Sequence, residues 1–103
     1  MAVDLVWLEE AEGDLQAVYE YISAENPRAA TAYVEAILSA CGQLHQFPLS
    51  GRSFNKRYRV LVARNHLVLY RYEEYEGAVI IAAIVDGRRD VDVLLRKLGA
   101  SEL

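Results

Sequence analysis

The chain has 103 residues, a formal net charge of −4, one cysteine and an apolar fraction high enough to build a folded core. The lone Cys41 excludes an internal disulfide and fits a reducing cytoplasm, and the acidic balance argues against indiscriminate nucleic-acid binding. The longest apolar run, Ala78 to Val85, is far short of the ~20 residues of a membrane span, and the early acids Asp4, Glu9 and Glu10 do not read as a signal peptide.

Val3 to Trp7 is short, apolar and β-prone and is expected to be a strand. Leu8, Ala11, Leu15, Val18, Tyr19 and Ile22 then recur at three- and four-residue steps among acids, which predicts an amphipathic helix with its acids toward the favourable N-terminal end. Asn26-Pro27 is the sharpest boundary: Asn caps, and Pro suits the first turn of a second helix running to about Leu44. So short a link folds the two helices back as a hairpin. Leu49 to Asn55 is expected to be a polar loop, Arg57 to Val62 a strand, Arg64-Asn65 a tight turn and His66 to Tyr72 a second strand. Glu73 to Gly77 reads as a charged turn, and Ala78 to Val85 as a central strand covered on both faces. Asp90 would cap a last helix from Val91 to Leu98. The expected fold is α+β: an antiparallel helical hairpin on a mostly antiparallel four-stranded sheet, with residues 1–103 as one domain.

Charge divides the chain unevenly. Residues 1–50 hold eight acids and one base, whereas no acid occurs from Ala36 to Tyr72, a window containing Arg52, Lys56, Arg57, Arg59, Arg64 and Arg71. Such asymmetry points to a charged partner or to a self-complementary arrangement, and places function in the basic half. Arg59 and Arg71 have a second reading, as ion-pair partners for the acids of the first helix. Trp7, Tyr21, Tyr33 and Phe47 read as core residues, as does Cys41 on the apolar stripe of the second helix. Cys41, His45 and His66 lack zinc-site spacing, and no phosphate loop or nucleophile elbow is present, so no metal or cofactor is expected.

The remaining set is ordered along the chain: Trp7, Asp14-Leu15, Tyr21-Ile22, Asn26-Pro27, Ala29-Ala30, Phe47-Pro48-x-x-Gly51-Arg52, Arg59-x-Leu61, Tyr70-Arg71-Tyr72 and Val85-x-Gly87-x-Arg89-Asp90. In this order it resembles the ParE branch of the RelE/ParE toxin superfamily, over residues 3 to about 95. The resemblance implies the toxin half of a bacterial toxin–antitoxin pair. ParE-like members poison DNA gyrase, and a DNA-binding antitoxin such as a ParD-like protein would neutralise the toxin and alone contact operator DNA. A homodimer, or a higher hetero-oligomer with the antitoxin, is compatible with it. RelE-like members are instead ribosome-dependent mRNA endonucleases, for which Arg59, Arg88 and Arg89 would be the matching arginines. Nuclease members use a His or Tyr after the last strand, and this chain has neither beyond residue 75. A gyrase poison that acts by binding is therefore the leading expectation, with an endoribonuclease and an inert partner-binding module as alternatives. Arg52, Lys56, Arg57, Arg59, Arg71, Arg88, Arg89 and Arg96 are the candidates for contact with target or antitoxin.

Overall fold

The computed structural model describes residues 2–88. Strand β1 (Asp4–Trp7) leads into helix α1 (Glu9–Ser23), and helix α2 (Pro27–Gly42) returns from it. The Asn26 side chain accepts a hydrogen bond from the Ala29 N–H at 3.1 Å and Pro27 occupies the first turn, as the capping chemistry requires. A 3-10 turn, Gln43–His45, ends the helical run, and the His45 imidazole bonds the Val3 carbonyl at 2.6 Å, fastening this end of the hairpin to the start of β1.

The sheet has five strands, not four. Arg52–Ser53, inside the expected loop, forms a two-residue β2 paired antiparallel with β3 (Arg59–Ala63). So short an edge strand carries too few residues for alternation to reveal it. Residues Arg57 and Tyr58 precede β3, because the Asn55 side chain accepts from both of their backbone N–H groups and holds them in a turn. Strands β4 (His66–Glu73) and β5 (Ala78–Asp86) complete the order β1-β5-β4-β3-β2, antiparallel except for β1 beside β5. β4 is thus the middle strand, and β5 lies one place from the edge. Burial of β5 on both faces holds nonetheless: Val79, Ile80, Ile81, Ala83, Ile84 and Val85 are all buried.

On β5, Ala83 faces Leu69 and Ile81 faces Tyr70, so Ala82 is an extra residue, a β-bulge. The bulge shifts side-chain parity, placing Val79, Ile81 and Ile84 together in the main core with Ala11, Ile37, Cys41, Leu44 and Tyr70. β1 ends where the Leu8 N–H reaches the Ile81 carbonyl, leaving the edge of β5 beyond it without a strand. The Asp14 carboxylate of α1 takes that place by accepting from the Ile84 N–H at 2.9 Å. The opposite face holds a smaller cluster of Tyr58, Val60, Leu69 and Ala83. Two residues read as core are on the surface: Tyr21 is 82% and Phe47 62% exposed. The expected helix from Val91 to Leu98 lies outside the described residues.

Candidate functional site

The Phe47-Pro48-x-x-Gly51-Arg52 segment is a turn locked to the sheet from beneath. Tyr70 is fully buried, and its hydroxyl donates to the Pro48 carbonyl and accepts from the Gly51 N–H, both at 2.9 Å. Burial pushes that hydroxyl above the usual phenol range, against the opposing pull of the Gly51 N–H and Arg59. A Cβ at position 51 would sit 2.7 Å from the Tyr70 ring and 2.8 Å from the Val60 carbonyl, which is why glycine stands there. Arg59 closes the lock, donating to the Gly51 carbonyl at 2.8 Å and to the Leu49 carbonyl at 3.3 Å. The motif is therefore a folding device, and what it presents outward is Phe47, Leu49 and Arg52.

Arg52, Lys56 and Arg57 are exposed around this turn and the following loop. The guanidinium groups of Arg57 and Arg71 each lie 6.0 Å from the Tyr58 ring centroid, within reach of a cation–π attraction. Arg71 also makes an ion pair with Glu73 at 2.6 Å. The pairing of Arg59 and Arg71 with acids of α1 is thus not what the fold builds: strand geometry gives one to backbone carbonyls and the other to a neighbour on its own strand.

A groove of about 480 Å³ opens at the other end of the β3–β4 hairpin, lined by Ala17, Val18, Tyr21, Ile22, Tyr33, Asn65, His66, Asp86 and Arg88. Arg64 has left-handed backbone (φ 57°), which turns the chain so that the Tyr33 hydroxyl can bond both the Asn65 N–H (3.1 Å) and His66 Nδ1 (2.7 Å). Burial holds the His66 pKa below its ordinary value, with Asp86 opposing and Arg88 adding to that shift. Gly87 donates to the Asn65 carbonyl at 2.7 Å, and Arg88 grips Asp86 through two guanidinium contacts of 3.0 and 2.8 Å. That bidentate contact, with the Arg88 N–H on the same carboxylate, holds Asp86 far below the usual carboxylate range.

The fold does not bring Arg59 and Arg88, two of the nuclease-type arginines, together. Arg59 faces Tyr70 and the Asp86–Arg88 corner faces His66, four residues away along β4, roughly 13 Å at strand spacing. Arg89 and Arg96 lie outside the described residues. Sequence reading missed Phe47 and Leu49 as surface groups, and it missed the Tyr33–His66 pair, which a separation of 33 positions along the chain conceals. Cys41 is buried, and its thiol is pushed up to about 12 by desolvation. Among the described residues no cluster of His, Cys, Asp and Glu is placed to hold a metal, and no helix is long and apolar enough to cross a membrane.

This architecture is found in solved toxins of toxin–antitoxin systems. The chain superposes on a structure of the chromosomal ParDE system from P. aeruginosa with a TM-score of 0.70 and 23% identity, over 82% of this chain and 96% of that one. The toxin–antitoxin complex RelBE2 from Mycobacterium tuberculosis gives 0.62 and 21%, over 84% and 99%. A double-arginine mutant of the E. coli toxin RelE in the free state gives 0.68 and 10%, over 99% and 97%. No curated protein sequence matches. The family described as ParE toxin of type II toxin-antitoxin system, parDE, matches residues 5–91, and the chain belongs to that family.

Proposed function

We propose that this ParE-family toxin arrests growth by binding rather than by cutting RNA, with DNA gyrase as its target and a cognate DNA-binding antitoxin as its inhibitor. One observation carries the reading. Arg59 and Arg88, two of the arginines matched to a RelE-type centre, sit at opposite ends of the hairpin, and each is already engaged, by carbonyls or by Asp86. A phosphate in cleavage needs converging cations and a nearby acid–base group. The chain has no His or Tyr beyond residue 75 to supply the latter. The toxin acts in the cytoplasm as one domain, and maintenance of a plasmid or chromosomal locus would follow from the pairing with its antitoxin. Arg52, Lys56 and Arg57, with Arg88, Arg89 and Arg96, are proposed to meet target or antitoxin, while Arg59 and Arg71 hold that surface in shape. The test pairs two assays on the purified protein. Codon-positioned cuts should be absent in primer extension on translating ribosomes, and supercoiling by purified gyrase should be inhibited with accumulation of cleaved DNA. RNA cuts without any effect on gyrase would overturn the proposal.

A further inference from the structure

The groove beside the β3–β4 turn has a chemistry that the proposed function leaves unused. Its volume of about 480 Å³ falls in the range of small-molecule sites, about 300–1,000 Å³. One wall is apolar: Ala17, Val18 and Ile22 of α1, with Tyr21 exposed at the mouth. The inner end is polar, and its fixed acceptors already hold donors. The Asp86 carboxylate takes the Arg88 N–H and guanidinium, the Asn65 carbonyl takes the Gly87 N–H, and the Tyr33 hydroxyl takes the Asn65 N–H. The Tyr33 hydroxyl in turn gives its own hydrogen to His66 Nδ1 at 2.7 Å, which leaves the neutral imidazole its hydrogen on Nε2. Arg88 meets Asp86 through Nε and Nη2 alone, so the Nη1 edge of its fork is not spent on that carboxylate, and the side chain is 73% exposed. An incoming molecule is therefore met by donors, the second edge of Arg88 and the His66 Nε2–H. The Asn65 side chain and the Tyr21 hydroxyl adapt to either role.

We propose that this groove binds a small aromatic monocarboxylate, its carboxylate held by Arg88 and the His66 Nε2–H and its ring lying against Val18, Ile22 and Tyr21. A guanidinium fork matches a planar carboxylate in shape, and here it would bridge two of them, the ligand's and that of Asp86. Asp86 offsets the charge of Arg88, so the site suits the acceptor geometry of one carboxylate better than the greater charge of a phosphate dianion. A flat ring suits the rest of the groove, where an aliphatic wall faces an aromatic mouth. Tyr33 is the positioning residue: its bond to Nδ1 sets the tautomer, and its edge-to-face contact with the imidazole, 5.4 Å between centroids, sets the ring. The inference stands independently of which cellular target the toxin has.

NMR titration of the isotope-labelled chain with phenylacetate near neutral pH tests it. Binding should saturate with a Kd of about 1 mM, ordinary for a ligand of this size, and the amides that shift should be those of Tyr33, Asn65, His66 and Gly87. Before ligand is added, long-range proton–nitrogen correlation should show His66 in the Nε2–H form. Phenylacetamide, which keeps the ring without the charge, and acetate, which keeps the charge without the ring, should each bind at least about tenfold more weakly. Arg88→Lys retains the charge at an exposed position, so it should leave the circular dichroism spectrum unchanged and weaken phenylacetate about tenfold by loss of the fork. Tyr33→Phe should lower affinity several-fold and let His66 populate the Nδ1–H form. A titration with phenylacetate that shows no saturation up to about 20 mM would overturn the proposal. So would an Nδ1–H tautomer in the parent chain, phenylacetamide binding as well as phenylacetate, phenyl phosphate binding more tightly than either, or an Arg88→Lys affinity within about twofold of the parent.

Discussion

Replacing Tyr70 by Phe removes one oxygen and keeps the ring, so it isolates the lock beneath the Phe47–Gly51 turn. The hydroxyl is the 2.9 Å partner of both the Pro48 carbonyl and the Gly51 N–H, and Gly51 is buried. A lost bond of this kind costs about 1 kcal/mol, and a buried donor left without a partner about 1–3, giving roughly 2–4 kcal/mol for the change. That is a large part of the ~5–15 kcal/mol that holds a domain folded. At about 4–8 °C per kcal/mol for a domain of this size, the melting temperature should fall by roughly 10–30 °C. Urea unfolding followed by circular dichroism measures the loss directly, with an unchanged m-value showing that the same surface is exposed. Gly51→Ala should cost at least as much, because its Cβ meets the Val60 carbonyl at 2.8 Å and the backbone itself must move. Arg59→Ala should be non-additive with Tyr70→Phe, since both groups hold the same turn. A Tyr70→Phe stability within about 0.5 kcal/mol of the parent, the range of an ordinary surface change, would refute the lock.

Three further outcomes are expected. Cys41 stays protonated in the folded chain up to about pH 12, while an unfolded thiol ionises near its ordinary value of 9.0, so the folded state should lose about 1.4 kcal/mol per pH unit between them; Cys41→Ala should remove that slope in alkaline denaturation curves, and native Cys41 should resist iodoacetamide. His66 has its pKa lowered, so its contribution is full above 6.5 and is lost as pH falls through the folded value; His66→Gln should flatten the stability profile below pH 6.5, and an NMR titration midpoint above that value would contradict the burial argument. Arg52→Glu combined with Arg57→Glu should weaken antitoxin binding about tenfold or more at low salt, on the scale of like-charge contacts; calorimetry showing no change would remove the basic surface from that interface.

Much of the fold was legible because its signals are local. Asn26-Pro27 marks a helix start by capping chemistry alone, and the alternation through His66–Tyr72 and the apolar run of β5 fix two strands before any contact is known. β2 was not legible, because two residues define no period and its existence depends on Arg52 meeting Val60 across the turn. The Ala82 bulge was hidden for a related reason: a strand buried on both faces reads the same in either parity. Phe47 and Tyr21 were misplaced because composition predicts burial only on average. The first lies on a turn whose backbone is pulled inward by Tyr70, which directs its side chain out, and the second stands at the open mouth of the groove it lines with Tyr33 and His66.

The candidate site was legible in its location and obscure in its roles. An acid-free basic window can be counted in the sequence, but whether a guanidinium in it is available to a partner depends on what lies within 3 Å of it in the fold. Arg59 and Arg52 look equivalent as letters. One is committed to two carbonyls of the turn, and the other stands exposed at the sheet edge. The same holds for Arg88, whose planar fork closes on Asp86 two residues away. Such commitments change what a motif means. Gly51, Arg59 and Tyr70 recur in the pattern that resembles the toxin superfamily, yet here they build the platform, and the groups displayed on it are Phe47, Leu49, Arg52 and Lys56. A substitution in the platform should therefore lower stability and binding together, whereas one in the displayed groups should lower binding with stability intact, and that difference separates the two sets by measurement.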